Sequence, residues 1–269
     1  MVRNRSALGL TARYLVATVI LIATIFPFLW MLRVSFLPTG STSGETLLSS
    51  LGTFQNYRDL FNQMNMGRYL FNSFFVGIVV TGGNILFCFM VAYTLARHRT
   101  LPNKILFVSV IAILMIPAHV TIIPLYLMCL KAGLYDSYTA LILPFLVNPI
   151  GIFLVKQYIE SIPPSMEEAA RVDGAGELTI LFRVVMPVCK PALAVLAIQV
   201  FFTNWNSFFF PYILTQSDRV RTLPVGLAMY QGHQAIDWQH LMAGSTLAVV
   251  PVLVLLAVLQ RRIVSGITA

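Results

Sequence analysis

Six stretches of the chain contain no Asp, Glu, Lys or Arg: residues 14–32, 69–96, 105–130, 137–155, 191–217 and 241–260. Each supplies about the 18–20 apolar residues that cross a ~30 Å hydrocarbon core as a helix. The runs are continuous rather than alternating, which predicts helices and not the ten-residue strands of a barrel. An ionised side chain at a helix centre in lipid costs roughly 2.5–3.5 kcal/mol, which accounts for the missing charges. Polar connections separate the runs, and residues 156–190 form a long one. The pattern predicts an all-α integral membrane protein with six transmembrane helices, organised as a single domain over residues 1–269. The first run is too long for the apolar region of a signal peptide, so it is expected to stay as a span.

Composition narrows the class further. Hydrophobic residues make up 58% of the 269 and charged residues only 10%, with a mean hydropathy of +0.80. A soluble domain carries about 25% charge, so this chain cannot coat a water-facing globule, and its apolar content excludes disorder. The net charge of +8 would raise nucleic-acid binding in a soluble chain. Here no basic run is interleaved with aromatics, and basic residues collect in the loops as they do on the cytoplasmic face of membranes. With both termini inside, twelve of the eighteen Lys and Arg fall on the inner side: Arg3, Arg5, Arg13, Arg97, Arg99, Lys104, Lys156, Arg171, Arg183, Lys190, Arg261 and Arg262. Six fall outside, at Arg33, Arg58, Arg68, Lys131, Arg219 and Arg221. That bias places both termini in the cytoplasm. Cys88, Cys129 and Cys189 share no CxxC spacing, so neither a disulfide framework nor a thiolate metal site is expected. Prolines interrupt five of the six runs, as in helices that bend.

The inner connection reads ESIPPSMEEAARVDGAGELTILFRVVMPVCKPAL from Glu160. Pro163-Pro164 should stop the preceding helix. Ser165 with Glu168 three residues later is a capping-box pattern, so a short helix is expected from Ser165. Asp173-Gly174 should end it, with Gly174 in the left-handed region. A second helical stretch is expected from about 177 to 186, leading through Pro187 and Pro191 into the fifth run. Val172, Leu178, Ile180, Leu181 and Phe182 need apolar cover on this helix–turn–helix elbow. Either a soluble partner provides it or the residues fold back onto the bundle ends.

The run Glu168-Ala169-Ala170, Gly174, then Val184-x-Met186-Pro187 resembles the EAA loop of bacterial ABC importer permeases. Its Asp173-Gly174-Ala175 variant resembles the carbohydrate, maltose-permease-like branch. The similarity extends to Ala92–Arg97, Asn204-Trp205-Asn206, Thr222–Leu227 and Gln260–Thr268. The resemblance implies a subunit of an ATP-driven sugar importer in a cytoplasmic (inner) membrane, an importer-type permease fold, and coupling through this loop. It implies that Glu168 pairs with a basic residue of a separate ATPase, that Ala169 and Ala170 allow close approach, and that Asp173, Gly174 and Pro187 shape the elbow. Implied partners are a second homologous permease subunit, two ATPase subunits carrying ATP and Mg, and an extracytoplasmic solute-binding protein. This chain has no GxxxxGK[ST] with which to cradle ATP phosphates itself, so no cofactor is expected on it and it is not expected to be an enzyme. The family tail commonly continues past Gly-x-Thr with Gly-Ala-x-Lys-Gly, whereas this sequence reads Gly266-Ile267-Thr268-Ala269.

Within the fifth run, Gln199, Thr203 and Asn206 fall at i, i+4 and i+7 and share one helix face. A polar stripe in hydrocarbon faces partners or water, so these three, with Trp205 and Asn148, are the candidate substrate path. Asn72, Asn84 and Asn148 also fit helix–helix hydrogen bonding. A secondary transporter is disfavoured because no span carries a carboxylate for ion coupling. A membrane enzyme is disfavoured by the lack of HExxH and GxSxG. A permease for glycerol phosphate or another polyol is the alternative within the family; the absence of Arg and Lys from the spans favours a neutral or amino sugar.

Overall fold

The structure is a computed structural model; it describes residues 7–40, 52–231 and 237–267, with side chains over 13–40, 52–229 and 237–254. Among the described residues every regular element is helical. In chain order they are α1 (Ala7–Ser35), α2 (Gln55–Gln63), α3 (Met66–Arg97), α4 (Leu101–Leu114), a 3₁₀ turn (Ala118–Thr121), α5 (Ile122–Lys131), α6 (Tyr138–Ile142), a second 3₁₀ turn (Leu143–Phe145) and α7 (Pro149–Glu160). Then follow α8 (Ser165–Val172), α9 (Glu177–Thr179), a π-helical stretch (Ile180–Val185), α10 (Met186–Val188), α11 (Lys190–Trp205), α12 (Phe209–Leu214), α13 (Leu223–Gln231) and α14 (Trp238–Ile267). The expected landmarks Arg3, Arg5, Thr268 and Ala269, and the side chains of 255–267, lie outside the described residues.

Among the described residues three segments are long and apolar enough to cross a membrane: Arg13–Ser35, Met66–Arg97 and Tyr138–Glu160. Two more are broken. Leu101–Leu114 and Ala118–Lys131 meet at 98°, and Glu177–Val188 and Lys190–Trp205 meet at 78°. The third apolar run is therefore not one straight helix. Pro117 has no N–H and disfavours helical backbone at Ile116, so α4 tightens into i→i+3 bonds from Met115 and Ile116 and stops. The fifth run also ends sooner than its composition predicts, at Trp205. Asn206 turns its Nδ2 back onto Phe202 O at 2.9 Å, and α12 begins only at Phe209. The sixth run lies inside α14, whose described apolar stretch is Trp238–Val254.

The chain divides into two compact units. In the first, Met1–Met66 with Leu227–Pro251, α2 is tied to the end of α1: Asn56 Nδ2 donates to Ser35 O and Leu37 O, both at 2.8 Å. His240 Nδ1 lies 2.6 Å from Asp237 and its Nε2 3.5 Å from Asp59, joining α2 to the start of α14.

The second unit, Gly67–Gly226 with Val252–Ala269, holds a core built from α3, α7, the π stretch and α11. Val80, Phe89, Val155, Ile159, Ile180 and Leu196 are fully buried there. Gly151 on α7 permits a close approach: a Cβ there would stand 2.6 Å from Leu196 Cδ1 and 3.3 Å from Cys88 Sγ. Small residues at helix contacts are how membrane helices gain packing where lipid supplies no hydrophobic drive.

Candidate functional site

The 160–190 connection is an elbow of two helical arms. After Glu160 the helix closes on Ser161, and Pro163-Pro164 redirects the chain into α8. The helix begins at Ser165 as expected, but the capping box does not form. Pro164 is the N-cap without a side-chain bond, and the Pro163 and Pro164 carbonyls accept from the amides of Met166, Glu167 and Glu168. The proline backbone, fixed near helical φ, already does what a serine cap would do. At the far end Gly174 has φ +84°, its amide reaches Arg171 O at 3.0 Å and Ala175 N reaches Ala170 O at 2.9 Å. This is the paired 5→2 and 6→1 bonding of a Schellman turn.

The second arm is continuous from Glu177 to Val188 but loosens into π-helix at Ile180–Val185. The elbow's apolar residues divide between the core and the surface. Ile180 and Leu181 are buried in the chain's own core, whereas Leu178 is 70% exposed and Val172, on α8, is 87% exposed. Glu168, Ala169, Asp173 and Pro187 are also exposed, and Ala170 is half-buried against the core. Arg171 Nε donates to Glu177 Oε1 at 3.0 Å and bridges the two arms on the outer surface.

Glu167, one residue before the expected motif, is the buried acid of this elbow. Its Oε1 accepts from Arg97 Nε at 2.7 Å and its Oε2 from the Tyr93 hydroxyl at 3.0 Å. The Glu168-Ala169-Ala170 motif does not point to this trio. The available signal was the i, i+4 spacing of Tyr93 and Arg97 at the end of a helix that carries no other charge after Arg68.

Gln199 and Thr203 lie one turn apart on α11, and Asn206 is its C-cap residue; Gln199 is half-buried, and Thr203 and Asn206 are exposed. Trp205 is turned inward instead, its ring 4.8 Å from Phe74 and stacked on Phe201 at 5.8 Å, so its faces are occupied by protein. Asn148 caps α7, its Oδ1 accepting from Ile150 N at 2.9 Å. Beyond α12, a loop is pinned from two sides. Asp136 Oδ1 accepts from the amides of Gln216 and Ser217 at 2.8 and 2.9 Å. Asn72 Nδ2 donates to Arg219 O at 3.1 Å and Arg221 O at 2.7 Å.

Residues 85–268 match the family described as binding-protein-dependent transport system inner membrane component. The chain belongs to this family. The permease is 32% identical over 97% of its length to the sulfoquinovosyl glycerol transport system permease protein SmoH of Agrobacterium fabrum, covering 93% of that protein. It is 30% identical to the trehalose/maltose transport system permease protein MalG of Thermococcus litoralis, over 94% of this chain and 93% of that one. Its fold is that of a chain in a bacterial ABC transporter involved in the import of the acidic polysaccharide alginate. The TM-score is 0.83 at 23% identity, over 97% of this chain and 98% of that one. The elbow falls inside the family match, as do α11 and the pinned loop.

Proposed function

We propose that this permease is the transmembrane subunit of an ATP-driven importer for a sugar or sugar derivative, moved by a separate ATPase that docks on the α8 elbow. The observation that carries the reading is the two-sided elbow: Ile180 and Leu181 sit in the chain's own core while Glu168, Val172 and Leu178 stand exposed on a turn held by Schellman bonding. An exposed apolar pair beside a carboxylate suits a soluble protein surface with a basic residue. Glu168 would supply the charge, Ala169 the close approach, and Asp173, Gly174 and Pro187 the shape of the elbow. ATP and Mg would be held by the two ATPase subunits, and this chain would do no chemistry itself.

The sugar assignment draws on the relatives, whose names specify sulfoquinovosyl glycerol and trehalose/maltose. It also draws on the half-buried Gln199 with the exposed Thr203 and Asn206, which offer hydroxyl-matching polar groups and no charge. A second permease subunit would close the path against these residues, and an extracytoplasmic solute-binding protein would deliver the sugar. Residues 1–269 would act as one permease domain with both termini in the cytoplasm.

The test is transport by the reconstituted complex. Gly174→Val forces a β-branched residue to positive φ, although no atom beyond its two chain neighbours lies within 4 Å of the new Cβ, so the strain is in the local backbone alone. The Glu168→Ala, Gly174→Val double variant should insert stably yet lose most uptake and most substrate-stimulated ATP hydrolysis, with sugar binding by the solute-binding protein unchanged. Wild-type uptake by that variant would refute the coupling role.

A further inference from the structure

Glu167 and Glu168 are adjacent in sequence but about 100° apart around α8, and they go to different surfaces. Glu168 is exposed, whereas Glu167 is 2% exposed with both carboxylate oxygens engaged by α3. Arg97 makes a further contact, its Nη2 donating to Ile162 O at 3.0 Å. One guanidinium therefore joins the last turn of α3, the chain just after α7 and the first turn of α8. Tyr93, one turn earlier on α3, fixes the other oxygen of Glu167, so the carboxylate cannot swing about its pair with Arg97.

The C-terminal end of α8 is held differently. There the Arg171–Glu177 pair is solvent-exposed on both partners, and exposed pairs contribute little. A buried ion pair adds little stability over well-packed apolar residues, but removing one partner leaves an uncompensated charge, so its effect is to enforce one geometry.

We propose that Arg97, Glu167 and Tyr93 are positioning residues that make α8 and the end of α3 move as one body, so that displacement of α8 reaches the long α3 helix instead of being absorbed in the elbow. This rests on the reading of α8 as the ATPase contact. The π stretch at Ile180–Val185 is the compliant arm and the Arg97–Glu167 joint the stiff one.

The experiment uses the whole complex in proteoliposomes, with substrate uptake and ATP hydrolysis measured together. Glu167→Gln keeps the shape and removes the charge, and Arg97→Gln removes the guanidinium. Each should lower uptake per ATP hydrolysed by at least about threefold while the ATPase subunits stay bound, and the double variant should fall no further than the worse single one. A second readout is distance. The native cysteines are all buried, so spin labels at Ser165→Cys and Arg99→Cys report on α8 and the end of α3 with little background. Their separation should be the same with and without ATP in the otherwise wild-type complex and should change with ATP in Glu167→Gln. A wild-type ratio of uptake to hydrolysis in both single variants, or an ATP-independent distance in Glu167→Gln, overturns the joint. Normal uptake by the Glu168→Ala, Gly174→Val complex overturns the docking reading instead, so the two failures are told apart.

Discussion

Asn72 sits fully buried near the start of α3, and its carboxamide is used at both ends. Nδ2 serves the carbonyls of Arg219 and Arg221, and Oδ1 accepts from the Tyr138 hydroxyl at 2.6 Å. A polar residue within an apolar run reads as helix–helix glue, and Asn72 is glue of a less legible kind: its partners are loop carbonyls about 150 residues away in sequence. Asn72→Leu would strand those carbonyls and the hydroxyl, at a cost of about 1–3 kcal/mol for the unmade bonds. The purified complex should then unfold at a lower temperature, with Tyr138→Phe showing a smaller drop because only one donor is lost. An unchanged midpoint for Asn72→Leu would show that water replaces the amide. The same limit on legibility explains Glu167. Two adjacent glutamates are equivalent as letters, and only the direction in which α8 lies against α3 sends one inward and the other outward.

At the scale of elements, Asp136 shows how a short turn is locked. The residue takes φ +56°, accepts from two amides of the loop after α12, and its own amide donates to Leu214 O at 3.0 Å. Burial alone would raise its carboxyl pKa, but the amides of Ser217 and Gln216 outweigh this and hold it below the usual carboxylate value. A depressed folded-state pKa means the pin is at full strength above the unfolded value near 4 and is lost as pH falls through the lower folded value. Hydrogen exchange at Gln216 and Ser217, referenced to Asp136→Asn, should therefore show wild-type protection above about pH 4.5 that converges with the variant in stronger acid. A protection ratio independent of pH would rule the carboxylate out as the pin. Elements also show where apolar runs mislead. Residues 105–130 are uniform in hydropathy, yet Pro117 breaks them into α4 and α5. The proline was visible in the sequence, but the size of the resulting bend depends on what the two halves pack against.

For the whole molecule, the split of twelve Lys and Arg to six predicts that the elbow faces the cytoplasm and that the loop at 216–222 faces outward. Single cysteines at Ser165 and Arg219 test this, since both positions are exposed and the three native cysteines are buried. An impermeant thiol reagent on intact cells should label Arg219→Cys and leave Ser165→Cys unmodified until the membrane is opened. The reverse pattern would invert the topology and remove the ATPase reading of α8.

The sequence by itself determined that the chain is helical and membrane-embedded, because length and absence of charge are properties of each run alone. It also determined where α8 starts and stops, because Pro163-Pro164 and Gly174 act on their own backbone and immediate neighbours. The tertiary structure alone decided which residues of those helices meet. It buried Glu167 under Arg97, turned Trp205 inward onto Phe74 and Phe201, and divided the elbow's apolar residues between the core and the exposed surface. These are contacts between segments distant in the chain. They depend on helix direction and on close approaches such as that at Gly151, and hydropathy along one segment carries no information about either.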